Sequence, residues 1–353
     1  MNEDQFGFFQ RVVETIGPSG YEQEAQRVWR ERVEAAADRV ETDALGNCIA
    51  TLNPEAGPRV MLDAHIDQIG FIVKYIDENG FVYFSPLGGF DPTTLHGNRV
   101  QFMGKNGPVL GVIGRKPPHL IDAEERKQAP ELKHMWIDIG ASSREEAATL
   151  LDIGDAGGRL NGLARLHGNI VTCAALDDRV GCYIVAETFR NLSADRPQAA
   201  VFAVSSVQEE VGLRGADVSS YTVNADVGIA LEVTWTTDHP QTSKTELGDI
   251  KVGAGPAIFR GVNTNPKVFE RMIAAAEATG APYQVDIYHR GSPTDGSAMQ
   301  LSRKGMAVGI MSVPTRYLHT ASEVLSIDDI DAAVTVLTRF VQDIESGADF
   351  RLG

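Results

Sequence analysis

The sequence predicts an α/β fold, with a mainly parallel sheet flanked by helices and a smaller β-rich domain inserted into it. In the first and last parts of the chain, apolar runs of strand length alternate with segments whose apolar residues recur at helical spacing, as in parallel sheets covered by helices. Between residues 73 and 165, short β-branched and aromatic runs separated by glycine-containing turns replace this alternation. We therefore expect residues 1–72 and 166–353 to form one α/β domain around an inserted domain of residues 73–165.

The elements before the insertion follow from spacing. Phe9, Val12 and Ile16 recur at helical intervals before a Gly-Pro pair, which predicts a short amphipathic helix. A second helix with the same pattern is expected within residues 21–40. Residues 59–73 form a nearly continuous apolar run, which is typical of a strand buried on both faces.

The elements after the insertion restore the α/β alternation. We predict a helix that opens at Asp177, strands at residues 199–207, 227–234 and 306–314, and a helix at 266–280. In sheets of this kind, ligands bind beyond the carboxyl ends of the strands. Polar residues that follow these strands are therefore expected to face one crevice.

Composition limits the classes of partner. A formal net charge of −16 disfavours nucleic acid and anionic membranes, because both require a basic surface. No apolar stretch approaches the ~18 residues of a membrane span, and the acidic start lacks the features of a secretory signal. Three cysteines without paired spacing fit buried thiols in a reducing compartment. We expect a cytoplasmic protein.

Several acids and two histidines lie at the predicted strand ends. They are His65, Asp67, Asp177, Asp178, Glu209, Glu210, Glu232 and His319. So many carboxylates in one crevice would cost several kcal/mol per buried charge without cations, so two divalent ions are expected to balance them. Imidazole and carboxylate ligands together suit zinc first, with cobalt or manganese as alternatives.

The spacing suggests a role for each of these side chains. Asp177, at a helix amino end, is the candidate for a carboxylate that bridges two ions. Asp67 lies two residues after His65 on an extended segment and could orient its imidazole. Glu210 could bind one ion while Glu209, which points elsewhere, serves as general base.

Each feature taken alone also has a simpler explanation. His65 in an apolar strand could be a hydrogen-bonded core histidine. Asp177 and Asp178 could cap the following helix, at about 1 kcal/mol each. Glu209 and Glu210 could form the acidic first turn of a solvated helix.

Sequence blocks in a fixed order resemble the tetrahedral (TET) two-metal aminopeptidases. This family is related to leucyl, glutamyl and deblocking aminopeptidases, and some members have been described as endoglucanases. The blocks are, in chain order, AHIDQIGFIV, ALDDRVG, QEEVGLRGA, VGIALEVT, SPTDGSAMQLSRKG and PTRYLHTASEV. They span nearly the whole chain, and it is their order that makes the resemblance specific.

The resemblance implies a function and a ligand set. One metal would be bound by His65, Asp177 and Glu232, and the other by Asp177, Glu210 and His319. Glu209 would be the general base for a two-metal-activated water, and Asp67 would orient His65. The substrates would be peptides that lose their amino-terminal residue.

The resemblance also implies assembly, and one position departs from the family. The inserted domain would serve in dimerisation or as a lid, and dimers would build a dodecamer. Position 232, usually aspartate in the family, is Glu232 here. The longer side chain still offers an oxygen ligand but puts the metal distances and the choice of ion in question.

Three alternative functions remain open from the sequence. A related carboxypeptidase or deacylase would need an arginine for a terminal carboxylate, and Arg260, Arg290 and Arg316 are available. An endoglucanase-type glycosidase would use two carboxylates and no transition metal. A non-catalytic descendant would keep the fold for assembly alone.

Overall fold

The computed structural model describes residues 1–122 and 127–353, except for the side chain of Pro118. The strands are β1 (Arg39–Thr42), β2 (Cys48–Leu52), β3 (Arg59–His65), β4 (Gly70–Ile76), β5 (Val82–Leu87), β6 (Arg99–Gly104), β7 (Gly107–Arg115), β8 (Met135–Asp138), β9 (Ala156–Arg159), β10 (Ala164–Arg165), β11 (Ile170–Cys173), β12 (Ala200–Ser206), β13 (Val227–Trp235), β14 (Ala257–Gly261), β15 (Gln284–Tyr288), β16 (Ala307–Thr315) and β17 (Glu323–Ser326). The α-helices are α1 (Glu3–Glu14), α2 (Gln23–Val33), α3 (Arg144–Leu150), α4 (Arg179–Ala194), α5 (Arg214–Val223), α6 (Lys244–Leu247), α7 (Pro266–Thr279), α8 (Asp295–Leu301) and α9 (Ile327–Gln342).

The main sheet has eight strands in the order β1-β2-β12-β3-β13-β16-β14-β15. Its central strands β12, β3, β13 and β16 are parallel, with Ser206 opposite His65 and Glu232 opposite Ser312. The pairings of β1 with β2, β2 with β12 and β14 with β16 are antiparallel. The sheet is therefore mixed, with a parallel centre that sends the carboxyl ends of four strands to one edge.

Helices cover both faces of this sheet, as predicted. Successive residues of β3 point to opposite faces, so Leu62 packs into the core beneath α1, α2, α4, α7 and α9, whereas Met61 packs into the core on the side of α5 and α8. Burial on both faces explains why the central strands are apolar along their whole length. The predicted helices after Asp177 and at 266–280 are confirmed as α4 and α7.

The β-rich segment forms a closed barrel in the order β4-β5-β8-β7-β6-β9. Its pairings are antiparallel, and it has a separate core that contains Phe71, Phe84 and Phe102. The strands of the barrel run from Gly70 to Arg159. The inserted β-rich structure is confirmed, while the limits 73–165 and a role in dimerisation or as a lid stay predictions.

The prediction of one strand across residues 59–73 was wrong. β3 ends at His65, and the chain enters the barrel at Gly70. A Cβ on Gly70 would lie 2.4 Å from the Cβ of Pro18 and 2.6 Å from the carbonyl oxygen of Gly157, so glycine is needed where the chain leaves the sheet. Both strands are apolar, and hydropathy alone does not show the break between them.

A small antiparallel sheet, β10-β11-β17, completes the fold. It pairs Cys173 with Glu323 and so brings the segment before α4 next to the segment before α9. Cys48, Cys173 and Cys182 are free and buried, as predicted. In the described parts of the chain, no helix has the length and hydropathy needed to cross a membrane.

Candidate metal centre

The carboxyl edge of the parallel strands gathers the predicted site residues. His65 is the last residue of β3, and Glu232 lies in β13, the strand that pairs with β3. Glu209 and Glu210 follow β12, which pairs with β3 on its other side. Because these strands are adjacent and parallel, side chains that are far apart in sequence meet at one place.

A first group of ligand atoms comes from His65, Asp177 and Glu232. One donor atom from each of these residues lies within 4.8 Å of the others. The Nε2 atom of His65 lies 3.3 Å from Oδ1 of Asp177. The carboxylate of Glu232 is buried and accepts a hydrogen bond of 3.2 Å from the backbone N–H of Asp295.

A second group comes from Asp177, Glu210 and His319, again with donor atoms within 4.8 Å of one another. Nε2 of His319 lies 3.3 Å from Oδ2 of Asp177 and 3.4 Å from Oε1 of Glu210. The two oxygens of Asp177 thus face different histidines, one in each group. This arrangement is the one that a carboxylate shared by two ions requires.

Asp67 is buried at the centre of the loops that carry these ligands. Its Oδ1 lies 3.4 Å from Nδ1 of His65, on the side of the imidazole away from Asp177. The same carboxylate accepts hydrogen bonds from the hydroxyl of Ser19 at 2.6 Å and from the backbone N–H groups of Glu209 at 3.0 Å and Glu210 at 3.2 Å. Asp67 therefore contacts one predicted ligand and fixes the backbone of the adjacent glutamates.

Glu209 and Glu210 diverge because the chain turns there. Gln208 has φ of +57°, and the carbonyl of Glu209 accepts hydrogen bonds from the N–H groups of Gly212 and Leu213, both at 2.9 Å. Oε2 of Glu209 lies 3.8 Å from Nε2 of His65. Glu209 reaches the first ligand group without belonging to either group.

The electrostatics of the site fit divalent cations. Burial raises the pKa of Glu209 to about 9, and the neighbouring carboxylates of Asp295, Glu210 and Asp177 add to this shift. Burial and Asp177 raise the pKa of Glu210 to about 7, and burial raises the pKa of Glu232 well above its usual range. Such shifts mark buried carboxylates whose charge the chain itself does not balance.

The histidines respond to the same negative field. Burial alone would lower the pKa of His65, but the carboxylates of Glu209, Asp177 and Asp67 raise it well above its usual range. The hydrogen bond with Asp177 raises the pKa of His319 to about 9. Carboxylates and imidazoles that face each other in this way form a donor set suited to zinc, cobalt or manganese.

Sequence reasoning missed Glu323, which is buried and holds both loops of the second group. Its carboxylate accepts hydrogen bonds from the backbone N–H groups of Leu176 at 2.8 Å, Asp177 at 3.1 Å and His319 at 2.9 Å. The available signal was a glutamate that opens the apolar strand β17. Glu232, another acid in a buried strand, was among the predicted site residues.

Two contacts from the barrel were also missed. The Nη1 atom of Arg159, a buried residue at the end of β9, donates a hydrogen bond of 2.9 Å to the carbonyl of His319. Nδ1 of His319 lies 3.0 Å from the carbonyl of Gly89, which leaves Nε2 directed at Asp177. The barrel thus fixes both the backbone and the ring of His319.

Two further acids near the site have structural roles. Asp178 caps α4 by accepting a hydrogen bond of 3.2 Å from the N–H of Gly181, so the capping explanation holds for this member of the pair. Asp295 is fully buried, accepts a hydrogen bond of 3.0 Å from the hydroxyl of Ser206 and opens α8. Both lie behind the ligand groups, which open instead into a cleft of about 650 Å³.

Comparisons with known proteins cover nearly the whole chain. A family model described as M42 glutamyl aminopeptidase matches residues 46–336. The lysyl aminopeptidase of Pyrococcus furiosus is 34% identical over 338 residues, which cover 95% of this chain and 96% of that protein.

Two solved structures are also similar. A TET aminopeptidase from a marine sediment Thaumarchaeota archaeon has a TM-score of 0.92 at 31% identity and covers 98% of both chains. The TET1 peptidase of Pyrococcus horikoshii, which can assemble into a tetrahedron or a large octahedral shell, has a TM-score of 0.86 at 29% identity, with 96% of this chain and 100% of that chain covered.

Proposed function

The chain belongs to the M42 glutamyl aminopeptidase family, and on that premise we propose that it removes amino-terminal residues from peptides with two divalent ions and Glu209 as general base. The resemblance found in the sequence is confirmed, and membership makes the protein a metal-dependent aminopeptidase, a hydrolase of peptide bonds. The number and identity of the ions, their ligands and the base are the proposed part.

Each ion has a proposed set of ligands. His65, Asp177 and Glu232 bind the first ion, and Asp177, Glu210 and His319 bind the second, with zinc as the first choice and cobalt or manganese as alternatives. When bound, two such ions polarise a peptide carbonyl and lower the pKa of water. The observation that carries this proposal is the position of Asp177, whose two oxygens lie 3.3 Å from two different histidines.

The proton transfers fall to Glu209. Its carboxylate lies beside the first ligand group, 3.8 Å from His65, where it can accept a proton from the attacking water. The same carboxylate then returns the proton to the amine that leaves with the shortened peptide. Asp67 keeps this geometry by holding the backbone N–H of Glu209. The acidic cleft favours a substrate with a free α-ammonium group, which is the mark of an aminopeptidase.

The test of the proposal combines metal analysis with a peptide assay. The protein is stripped with a chelator, reconstituted with zinc, cobalt or manganese one at a time, and assayed with aminoacyl reporters. We expect each chain to bind two ions. Activity should be lost when the ions are removed and should return when they are restored. Full activity in a preparation free of transition ions would refute the proposal and favour the glycosidase alternative.

A panel of free, acetylated and amidated peptides tests the remaining alternatives. A carboxypeptidase would need an arginine for the terminal carboxylate, but none of Arg260, Arg290 and Arg316 lines the cleft, and Arg316 donates hydrogen bonds to Asp238. We expect cleavage of amidated peptides and no cleavage of acetylated ones. Preference for a blocked amino end would support a carboxypeptidase or deacylase. If no peptide is cleaved by metal-loaded protein, the chain is a non-catalytic assembly protein.

We also propose that the chain self-associates into dimers that build a dodecamer, with residues 73–165 in the contacts. Support comes from the TET1 peptidase of Pyrococcus horikoshii, which can assemble into a tetrahedron or a large octahedral shell. Light scattering on the purified protein should give twelve times the mass of the chain, and a monomer at micromolar concentration would contradict this. Three buried free cysteines support the cytoplasm as its compartment.

A further inference from the structure

The cleft above the candidate metal centre has an uncharged wall. Among the described residues that line it, every ionisable acid or histidine belongs to the ligand groups or is Glu209. The larger side chains of the rest are apolar or neutral: Leu213, Trp235, Tyr288, Pro293 and Leu318. Trp235 keeps 49% of its surface exposed although it is large and aromatic. An exposed aromatic wall at the mouth of a polar centre is a typical place for an apolar substrate group.

Leu213 has an unusual backbone conformation, and Leu318 lies between two residues that have one. Leu213 has φ of +57° and donates its N–H to the carbonyl of Glu209. Leu318 lies between Tyr317 and His319, whose φ angles are +63° and +59°. Residues other than glycine seldom adopt such angles, and they cluster at binding sites where the surrounding structure holds them. Both leucines are therefore fixed on the same loops as the base and a ligand.

Two arginines near the cleft are engaged elsewhere. Arg316, close to Leu318 in the chain, donates to the carboxylate of Asp238. Arg159 is buried and donates to the carbonyl of His319. Within residues 1–122 and 127–353, no lysine or arginine lines the cleft. Among the described residues, a glutamyl side chain would find no cationic side chain there, and a lysyl side chain would find only the carboxylates of the two ligand groups and that of Glu209, which the proton transfers require.

We propose that Leu213, Trp235 and Leu318 form the wall that accepts the amino-terminal side chain of the substrate, and that the enzyme therefore selects uncharged, apolar residues over glutamyl and lysyl ones. This inference rests on the proposed aminopeptidase function. This preference differs from the one named in the family model, glutamyl, and from the one named in the lysyl aminopeptidase of Pyrococcus furiosus. Burial of an apolar side chain against these residues supplies the preference, and a charged side chain would lose its hydration without a partner.

The test is a reporter series with leucyl, phenylalanyl, alanyl, glutamyl and lysyl groups on the metal-loaded protein. We expect kcat/KM for the leucyl or phenylalanyl reporter to exceed those for glutamyl and lysyl reporters by roughly tenfold or more. Calorimetry with free leucine, glutamate and lysine gives a second measurement that does not depend on turnover, and leucine should bind most tightly.

A charge placed in the wall identifies the residues responsible. Leu213→Arg should raise the ratio of glutamyl to leucyl kcat/KM by roughly tenfold, because the new cation pairs with the substrate carboxylate. Leu301→Arg is the matched control, since Leu301 is 80% exposed and lies outside the cleft, and its ratio should equal that of the parent protein. Leu318→Ala should lower leucyl kcat/KM more than alanyl kcat/KM.

The outcomes separate the two proposals. Fastest hydrolysis of the glutamyl or lysyl reporter overturns the apolar wall and leaves the aminopeptidase function standing. Equal ratios in Leu213→Arg and Leu301→Arg overturn the assignment of Leu213. Hydrolysis of none of the reporters by protein that binds two ions overturns the proposed function and this inference with it.

Discussion

The adjacent pair Glu209 and Glu210 offers the sharpest test of the mechanism, because the same isosteric change should have opposite effects at neighbouring positions. Glu209 lies 3.8 Å from His65 and outside both ligand groups, whereas Oε1 of Glu210 lies 3.4 Å from His319 within the second group. Glu209→Gln should therefore keep both ions and lose turnover. Glu210→Gln should lose the second ion.

The magnitudes follow from these positions. Removal of a general base costs about 10²–10⁴ in kcat, which corresponds to roughly 3–5.5 kcal/mol of activation free energy. Replacement of Glu210 should weaken binding of the second ion by at least roughly 10–100-fold, because a change in a residue that only supports a metal ligand already costs that much affinity. Raising the zinc concentration should then restore activity in Glu210→Gln but not in Glu209→Gln.

The assay measures metal content after dialysis at fixed free zinc, together with kcat on an aminoacyl reporter. Each variant is the control for the other, since both remove one charge from the same turn. If Glu209→Gln kept more than a tenth of the parent activity, or lost metal as Glu210→Gln does, the assignment of the base would be wrong.

Three further predictions concern the residues around the ligands. Asp67→Asn should weaken zinc binding by roughly 10–100-fold, because Asp67 contacts His65 and holds the glutamate backbone; unchanged affinity in a zinc titration would contradict this. Glu323→Gln should lower the free energy of unfolding by about 1–3 kcal/mol, because one amide oxygen cannot accept all the N–H groups that the carboxylate accepts; equal urea midpoints would argue against it. The metal-free protein should lose stability progressively between about pH 4.5 and pH 9. The pKa of Glu209 is raised from 4.5 and that of His319 from 6.5, both to about 9, so over this range each group binds more protons in the folded than in the unfolded chain, and stability falls until the pH passes the folded-state pKa values. Saturating zinc should reduce this pH dependence.

The sequence predicted the features that depend on local pattern. The alternation of apolar runs with helical spacing predicted the central strands and helices α4 and α7. The polar residues that follow those strands predicted that one edge of the sheet carries the site. His65 and Glu232 were predicted as site residues because they lie with other acids and a second histidine at the predicted strand ends; that they bind metal stays a prediction. Asp177 was also predicted at the start of a helix. In the structure its two oxygens face two different histidines.

The features that sequence reasoning missed depend on contacts between distant segments. Nothing in the spacing shows that Glu323 accepts N–H groups from two loops, or that Arg159 reaches the carbonyl of His319. The turn at Gln208 was missed because its φ of +57° occurs in a residue that is neither glycine nor asparagine. The break before Gly70 was missed because the strands on both sides are equally apolar.

Through the contacts of Arg159 and Gly89 with His319, the barrel helps to position a proposed metal ligand. A shortened enzyme from which the barrel had been excised would keep the sheet and the imidazole of His65. It would lose the contacts that fix the backbone and the ring of His319, and with them one of the two proposed metal sites. We therefore expect that the main sheet and its helices, without the barrel, would not make an active peptidase.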